Sequence, residues 1–370
     1  MKKRRELYFI IVVAVAVVVM LLLPTGYENP AQTKNILYQK AQVLEVDNSD
    51  LSRISVVTLG TQRLKLRFLS GEFKGDTITA KNPLLGDKRR DKIFEAGDKV
   101  LSVSRINSEG VVESRAEEYY RQDLELLLLS LFVVALILFA GRTGAKAALS
   151  FLFTALAFWK LLIPSLLKGY SPLMVSIIVV FITTSVIILL VGGISRKGVV
   201  ALLGALTGVV VTAILALIFG HYFKIPGTIQ EYSDSLLYAG FTDLNFSEML
   251  LSCIFISSAG AVMDVAMDIA AAQDELSEKA RHLTRRELIR SGLNIASPVV
   301  GSMTTTLLFA YSGSFMFAFM AFMAQGVPME SIVNRGYIAS EILLTMVGSF
   351  GLVLVAPITA VVGGHIFSRR

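Results

Sequence analysis

Two carboxylates, Asp264 and Asp268, lie four residues apart in the otherwise apolar run Gly260-Ala261-Val262-Met263-Asp264-Val265-Ala266-Met267-Asp268. In a helix that spacing stacks both side chains on one face. A second apolar run carries Thr304, Thr305 and Thr306, then Tyr311-Ser312-Gly313-Ser314. A third holds Ser340 and Glu341, then Gly348-Ser349-Phe350-Gly351 and Pro357. Together these residue types suit a path for a cation or small polar solute. Carboxylates attract it, hydroxyls replace its water, and a kinked or unwound turn exposes backbone carbonyls.

Each residue also has a plainer reading. Charging Asp264 against lipid costs about 2.5–3.5 kcal/mol on insertion scales, so it faces a bundle interior, a hydrated cavity or a partner such as Arg290. Asp268, nearer the helix end, reads as a boundary residue. The threonines either bond back to their own helix or line the path. The glycines around Ser349 either loosen the helix or let a neighbour pack closely.

Other chemistries find no support. Cys253 is the sole cysteine, and His221, His282 and His365 fall on separate segments, so neither a disulfide nor a metal cluster is expected. Gly-x-Ser-x-Gly, His-Glu-x-x-His and P-loop patterns are missing, which argues against an enzyme, a resident cofactor or direct ATP use. Lys160, beside Trp159, reads as a snorkelling residue.

The elements that must position these groups are long and apolar. Eight charge-poor stretches run roughly over 7–23, 124–140, 147–167, 173–193, 199–220, 247–267, 299–324 and 337–367. A bilayer core needs about 20 apolar residues per helix. With the amino terminus inside, the inner segments hold Lys2, Lys3, Arg4, Arg5, Arg142, Lys146, Arg196, Lys197, Lys279, Arg281, Arg285, Arg286, Arg290, Arg369 and Arg370. The short outer loops hold Lys168, Lys224 and Arg335. That bias predicts a multi-pass protein of the bacterial cytoplasmic membrane with both termini cytoplasmic. Residues 1–23 read as an uncleaved anchor, because the apolar run exceeds a signal h-region and no small-x-small site follows. The net charge of +6 then reflects topology, and nucleic acid is not an expected partner.

Residues 36–116 alternate apolar and polar, most cleanly in Arg63-Leu64-Lys65-Leu66-Arg67-Phe68, with breaks at Gly60, Ser70-Gly71, Asn82-Pro83 and Gly97-Asp98. Five or six short strands of this kind predict an all-β barrel, OB-like or SH3-like, inserted between helices one and two and placed outside by the topology. Residues 124–367 form the expected seven-helix core of an all-α bundle. Within it, 272–292 reads as a cytoplasmic amphipathic helix lying at the headgroups.

At this point the chain resembles the YibE/F-like membrane proteins. The resemblance rests on Gly141-Arg142-Thr143-Gly144-Ala145-Lys146, Gly260 to Met267, Gly301-Ser302-Met303-Thr304-Thr305-Thr306-Leu307-Leu308-Phe309-Ala310-Tyr311, Glu341-Ile342-Leu343, Gly348 to Leu352, and Pro357-Ile358-Thr359. It implies a multi-pass membrane protein, of a family usually taken for transporters, with no substrate to carry over. The expected function is a transporter or permease, ion-coupled or not, with Asp264, Asp268, Thr304, Thr305, Ser349 and Glu341 along a pathway among helices six to eight. Its expected partners are membrane lipids, a small solute or ion, and a second copy in a homo-oligomer. The alternative is a non-transporting scaffold whose barrel recruits an extracytoplasmic partner.

Overall fold

The structure, a computed structural model, describes residues 2–27, 35–107 and 110–368. Arg369 and Arg370, counted above among the inner cations, lie outside the described residues. Two compact units form, Gly26–Ala135 and the remainder, Met1–Thr25 with Leu136–Arg370.

The first unit contains β1 (Ile36–Asp47), β2 (Ser52–Ile54), β3 (Val57–Phe68), β4 (Thr77–Leu85), β5 (Lys99–Asn107) and β6 (Gly110–Tyr119). Alternation sends Ala41, Val43, Leu64, Leu66, Phe68, Ala80, Val100 and Ala116 into one core. The sheet order β1-β5-β6-β4-β3-β2, with β1 also paired to β3, closes five strands into a barrel and leaves β2 as an appendage. The β4–β6 pairing is parallel, at Lys81 opposite Arg115, while the other pairs are antiparallel. This Greek-key closure is the OB arrangement, which decides between the two barrel types expected.

β4 and β5 are consecutive in the chain but not neighbours in the sheet, so the segment between them is no hairpin. The 86–98 connection brings Phe94 into the barrel core, where it is 1% exposed. Buried Gln62 holds it there: Gln62 Nε2 donates to the Phe94 carbonyl at 2.9 Å and Gln62 Oε1 accepts from its amide at 3.0 Å. At the end of β6, Glu118 pairs with Lys92 and with Arg121, the latter at 3.0 Å, and the Tyr119 hydroxyl donates to the Ile93 carbonyl at 3.0 Å.

The helices are α1 (Lys2–Leu22), α2 (Gln122–Ala157), α3 (Ile163–Leu167), α4 (Pro172–Val191), α5 (Arg196–Phe223), α6 (Ser233–Tyr238), α7 (Phe246–Lys279), α8 (Arg285–Ser312), α9 (Met316–Ala324), α10 (Met329–Val333) and α11 (Gly336–Phe367). Among the described residues, seven helical segments are long and apolar enough to cross a membrane. One of them, Gln122–Leu167, contains two of the eight expected stretches, separated by Gly141 at φ 55° and ψ −126°. Glycine tolerates that left-handed φ, so the chain breaks direction there.

α5, α7 and α11 form the centre of the second unit, with Val209, Phe255, Val262, Ile269, Leu352 and Val355 buried. Lys160 Nζ donates to the Leu23 carbonyl at 2.7 Å, so the lysine caps the carboxyl end of α1.

Two expectations change. Segment 272–292 is no single surface helix. Its first part completes α7, and its second part opens α8 behind a Thr284–Glu287 capping box. Buried Gln273 and Leu288 explain this, because the segment's inward face packs against α11 instead of lying on a surface. The glycines at 348 and 351 do not unwind α11, which stays helical through Pro357.

Glu118 makes the barrel sensitive to acid. Burial raises its pKa, but hydrogen bonds from Lys92 and Arg121 outweigh that and hold the carboxyl below its usual value. A depressed carboxylate contributes stability above its unfolded pKa and loses it as pH falls through the folded value. Barrel strands should therefore lose hydrogen-exchange protection below about pH 4.5, and Glu118→Gln should flatten that dependence. An unchanged acid response in the variant would assign it to other carboxylates.

Candidate functional site

Glu341 lies on the second turn of α11, partly buried. It borders a cavity of about 180 Å³ walled by Leu308, Phe315, Phe319, Ile338, Ile342 and Met346, with Tyr311, Ser312 and Thr345 at its edge and a wall that is almost wholly apolar. Three elements build this cavity: the end of α8, the 3-10 turn Gly313–Phe315 with α9, and the first turns of α11. Tyr311 is hydrogen-bonded to Ser257 of α7, which ties the end of α8 across to α7. Phe315 stacks on Tyr337, and Arg335 sits 4.5 Å over the Phe322 ring, so an aromatic cluster borders the cavity. Among the described residues, Glu341 has neither a hydrogen-bond partner nor an ion pair. The site is a lone carboxylate beside an almost wholly apolar pocket.

Asp264 and Asp268 occupy a different place. Both are exposed on one face of α7, in line with Cys253, Ser257 and Gly260. Neither pairs with Arg290 nor with any other described residue. A Cβ on Gly348 would lie 3.3 Å from Ser258, and one on Gly351 would lie 3.3 Å from Val262. These contacts set α7 and α11 parallel with matched levels. At about 1.5 Å per residue, Asp264 and Glu341 stand roughly 20 Å apart along the bundle. The structure does not bring them into a common cavity.

The threonines satisfy themselves. Thr304 Oγ1 donates to the Val300 carbonyl at 2.8 Å, Thr305 to Gly301 at 3.4 Å and Thr306 to Ser302 at 3.1 Å. Thr304 is partly buried and Thr305 exposed. Around them α8 turns a small and polar face outward: Asn294, Ser297, Gly301, Ser302 and Thr305 are all exposed. Of the seven candidate spans, α8 is also the least apolar. Ser349 is buried, and its hydroxyl has no partner among the described residues.

Sequence reasoning missed Gln273. It is fully buried, and its Nε2 donates to the Leu288 carbonyl at 2.9 Å and to the Ala360 carbonyl at 3.0 Å, pinning α7 to α8 and α11. A lone glutamine within Ala270-Ala271-Ala272-Gln273 was the available signal. Gly292 and Gly363 make room for it, since a Cβ would fall 2.4 Å and 2.0 Å from its amide atoms. No metal-binding group of three or more His, Cys, Asp or Glu occurs among the described residues.

A family model described as YibE/F-like protein matches residues 128–369, which takes in α7 to α11 and leaves out the barrel. Neither a curated protein nor a solved structure matches the chain.

The glycines divide by what surrounds them. Gly363→Val should destabilise the bundle by about 1–3 kcal/mol through overpacking against Gln273. Gly260→Ala and Gly301→Ala meet nothing within 4 Å and should leave the melting temperature of the purified monomer nearly unchanged. Thermal unfolding in detergent compares the three, and a tolerated Gly363→Val would remove the Gln273 pin.

Proposed function

The chain belongs to the YibE/F-like family, and from that premise we propose that it is an integral membrane transporter or permease-like protein, ion-coupled in its working cycle. The observation that carries this reading is Glu341, a half-buried carboxylate without a partner among the described residues, beside a cavity with an almost wholly apolar wall. An ionisable group on an apolar helix is costly, and it persists where it meets a substrate, an ion or water. Glu341 is the cation-binding group of the pathway. Asp264 and Asp268, some 20 Å deeper, form a second polar level beside the outward polar face of α8. Thr304 and Thr305 keep that face polar while bonded to their own helix. The uncovered α8 face also suits a homo-oligomer, in which a second copy shields it from lipid.

The distribution of lysine and arginine supports cytoplasmic termini, an extracytoplasmic barrel and residence in a bacterial cytoplasmic membrane. The match of the family model to the helical region rather than the barrel supports placing the activity among the helices.

A second reading, a non-transporting scaffold, draws on the barrel. β4 and β6 run parallel, and β3 places Leu59 opposite Leu85, so Val56, Leu85 and Tyr119 share one end of the barrel. There Ile54, Val56, Leu85 and Ile93 are 56%, 66%, 75% and 46% exposed, an apolar rim fit for a protein partner.

Two measurements test these readings. Reporters fused near Gly71 or after Lys168 should appear outside, and one fused after Lys197 inside; a cytoplasmic Gly71 fusion overturns the topology. In a growth or flux assay dependent on the protein, Glu341→Gln should lower activity at least about tenfold at normal abundance, as expected for losing a charged contact of about 1.5–3 kcal/mol. Asp264→Asn should lower it less. If both variants keep full activity and barrel deletion abolishes it, the scaffold reading stands.

A further inference from the structure

We propose that a second cavity, where the end of α5 meets the first turns of α7 and α11, binds the phosphate headgroup of an anionic lipid and the first carbons of its chain. The cavity measures about 500 Å³, within the roughly 300–1,000 Å³ usual for small-molecule sites. The proposal rests on the helical unit lying in a membrane, and not on any role for Glu341.

His221 and Lys224 lie three residues apart at the carboxyl end of α5. Lys224 adopts the left-handed conformation, φ 50° and ψ 38°, and so turns the chain out of the helix. The turn carries Pro226 and Gly227 onto the start of α7, where a Cβ on Gly227 would fall 1.8 Å from the Phe246 carbonyl oxygen. That close approach gathers His221, Lys224 and Ser247, of the first turn of α7, around one space. The positive end of the α7 dipole lies at the same turn and adds to the field of Lys224. Glu248, next to Ser247, is not in the lining; its carboxylate accepts from Ser171 Oγ at 3.1 Å. Leu217 and Leu251, each one turn deeper in its helix, and Leu343 of α11 form an apolar floor.

The plain role for basic residues at this place is to cap the carboxyl end of their own helix. Elsewhere the chain does this: Lys160 donates to the Leu23 carbonyl at 2.7 Å, and His365 Nδ1 lies 2.8 Å from the Val361 carbonyl. Among the described residues, the side chains of His221 and Lys224 have neither a hydrogen bond nor an ion pair. No acid lines the cavity, so a metal or ammonium ion meets the Lys224 charge with no carboxylate to offset it. A neutral ligand leaves that charge unmatched. Phosphate oxygens can accept from the Lys224 ammonium, a His221 ring N–H and the Ser247 hydroxyl together. The apolar floor adds nothing for a free hydrated anion, but it covers hydrocarbon attached to one. The surroundings fit a bilayer boundary. Ile214, Leu217 and Ile218 are exposed just below the cavity, Tyr222 and Phe223 are exposed at its level, and Thr228, Gln230 and Glu231 follow. Apolar, aromatic and polar surface succeed one another in this order across the level of lipid phosphates.

The experiment is calorimetric titration of the full-length protein in uncharged maltoside micelles with three probes: dodecyl phosphate, dodecanol and inorganic phosphate. Empty micelles provide the partitioning baseline. Dodecyl phosphate should bind at least about tenfold more tightly than either dodecanol or inorganic phosphate. Lys224→Asn removes the charge with a residue that tolerates the left-handed backbone, and should bring dodecyl phosphate down to the level of dodecanol. Leu217→Trp, which fills the floor from an exposed position, should weaken dodecyl phosphate to the level of inorganic phosphate. Lys168→Gln removes a lysine that does not line the cavity and should change nothing. If Lys224→Asn fails to fold, Leu217→Trp decides. Equal binding of dodecyl phosphate and dodecanol overturns the proposal, and so does binding of neither above the baseline. Inorganic phosphate binding as tightly as dodecyl phosphate makes this a site for a free anion and refutes the lipid. An equal loss in Lys168→Gln and Lys224→Asn assigns the binding to general surface charge. Flux is not read, so the transport reading stands or falls separately.

Discussion

Close approach of α5, α7 and α11 is the constraint on which the helical unit rests. A Cβ on Gly208 would lie 2.6 Å from Val262 and 2.9 Å from Val355, and one on Gly351 would lie 2.2 Å from Thr212. Gly204 gives the same room to Thr359, at 2.1 Å. Dispersion between packed atoms falls off steeply with distance, so helices gain most where their backbones approach closely. Glycine at the crossing points allows that range. The Gln273 amide adds two hydrogen bonds where α8 begins, between carbonyls that the close packing brings together.

This tight trio explains where the polar groups end up. Glycine and small residues fill the contacts among α5, α7 and α11, so the carboxylates of α7 are turned outward and α8 attaches by one side only. Tyr311 and Leu307 hold its far end, Leu288 and Gly292 its near end. Beyond Ser312 the helix gives way to a 3-10 turn before α9 resumes. The end of α8, this turn with α9, and the start of α11 enclose the cavity around Glu341. A continuous α8–α9 helix would change that enclosure.

The barrel follows a separate logic. Its closure includes one parallel pairing, and the connection from β4 to the non-adjacent β5 carries Phe94, held by Gln62, into the core. The same connection brings Lys92 to Glu118 and the Ile93 carbonyl to Tyr119, at the end from which α2 departs.

Much of this was legible in the residues. Period-2 alternation in 63–68 marks strands because side chains of a strand point to opposite faces, and long charge-poor runs mark helices because length and composition alone set that property. The resemblance to the YibE/F-like family was equally a matter of local motif. Tertiary structure decided the rest. OB closure over SH3 depends on which strands meet, a long-range fact. Segment 272–292 reads as amphipathic in isolation, yet its apolar positions include Leu288, which packs inside the bundle while the backbone turns at 280–284. Asp264 and Glu341 looked like members of one pathway because both are acids in apolar helices. Only the register of α7 against α11 places them at separate levels, since local spacing carries no information about how far one helix is shifted along another.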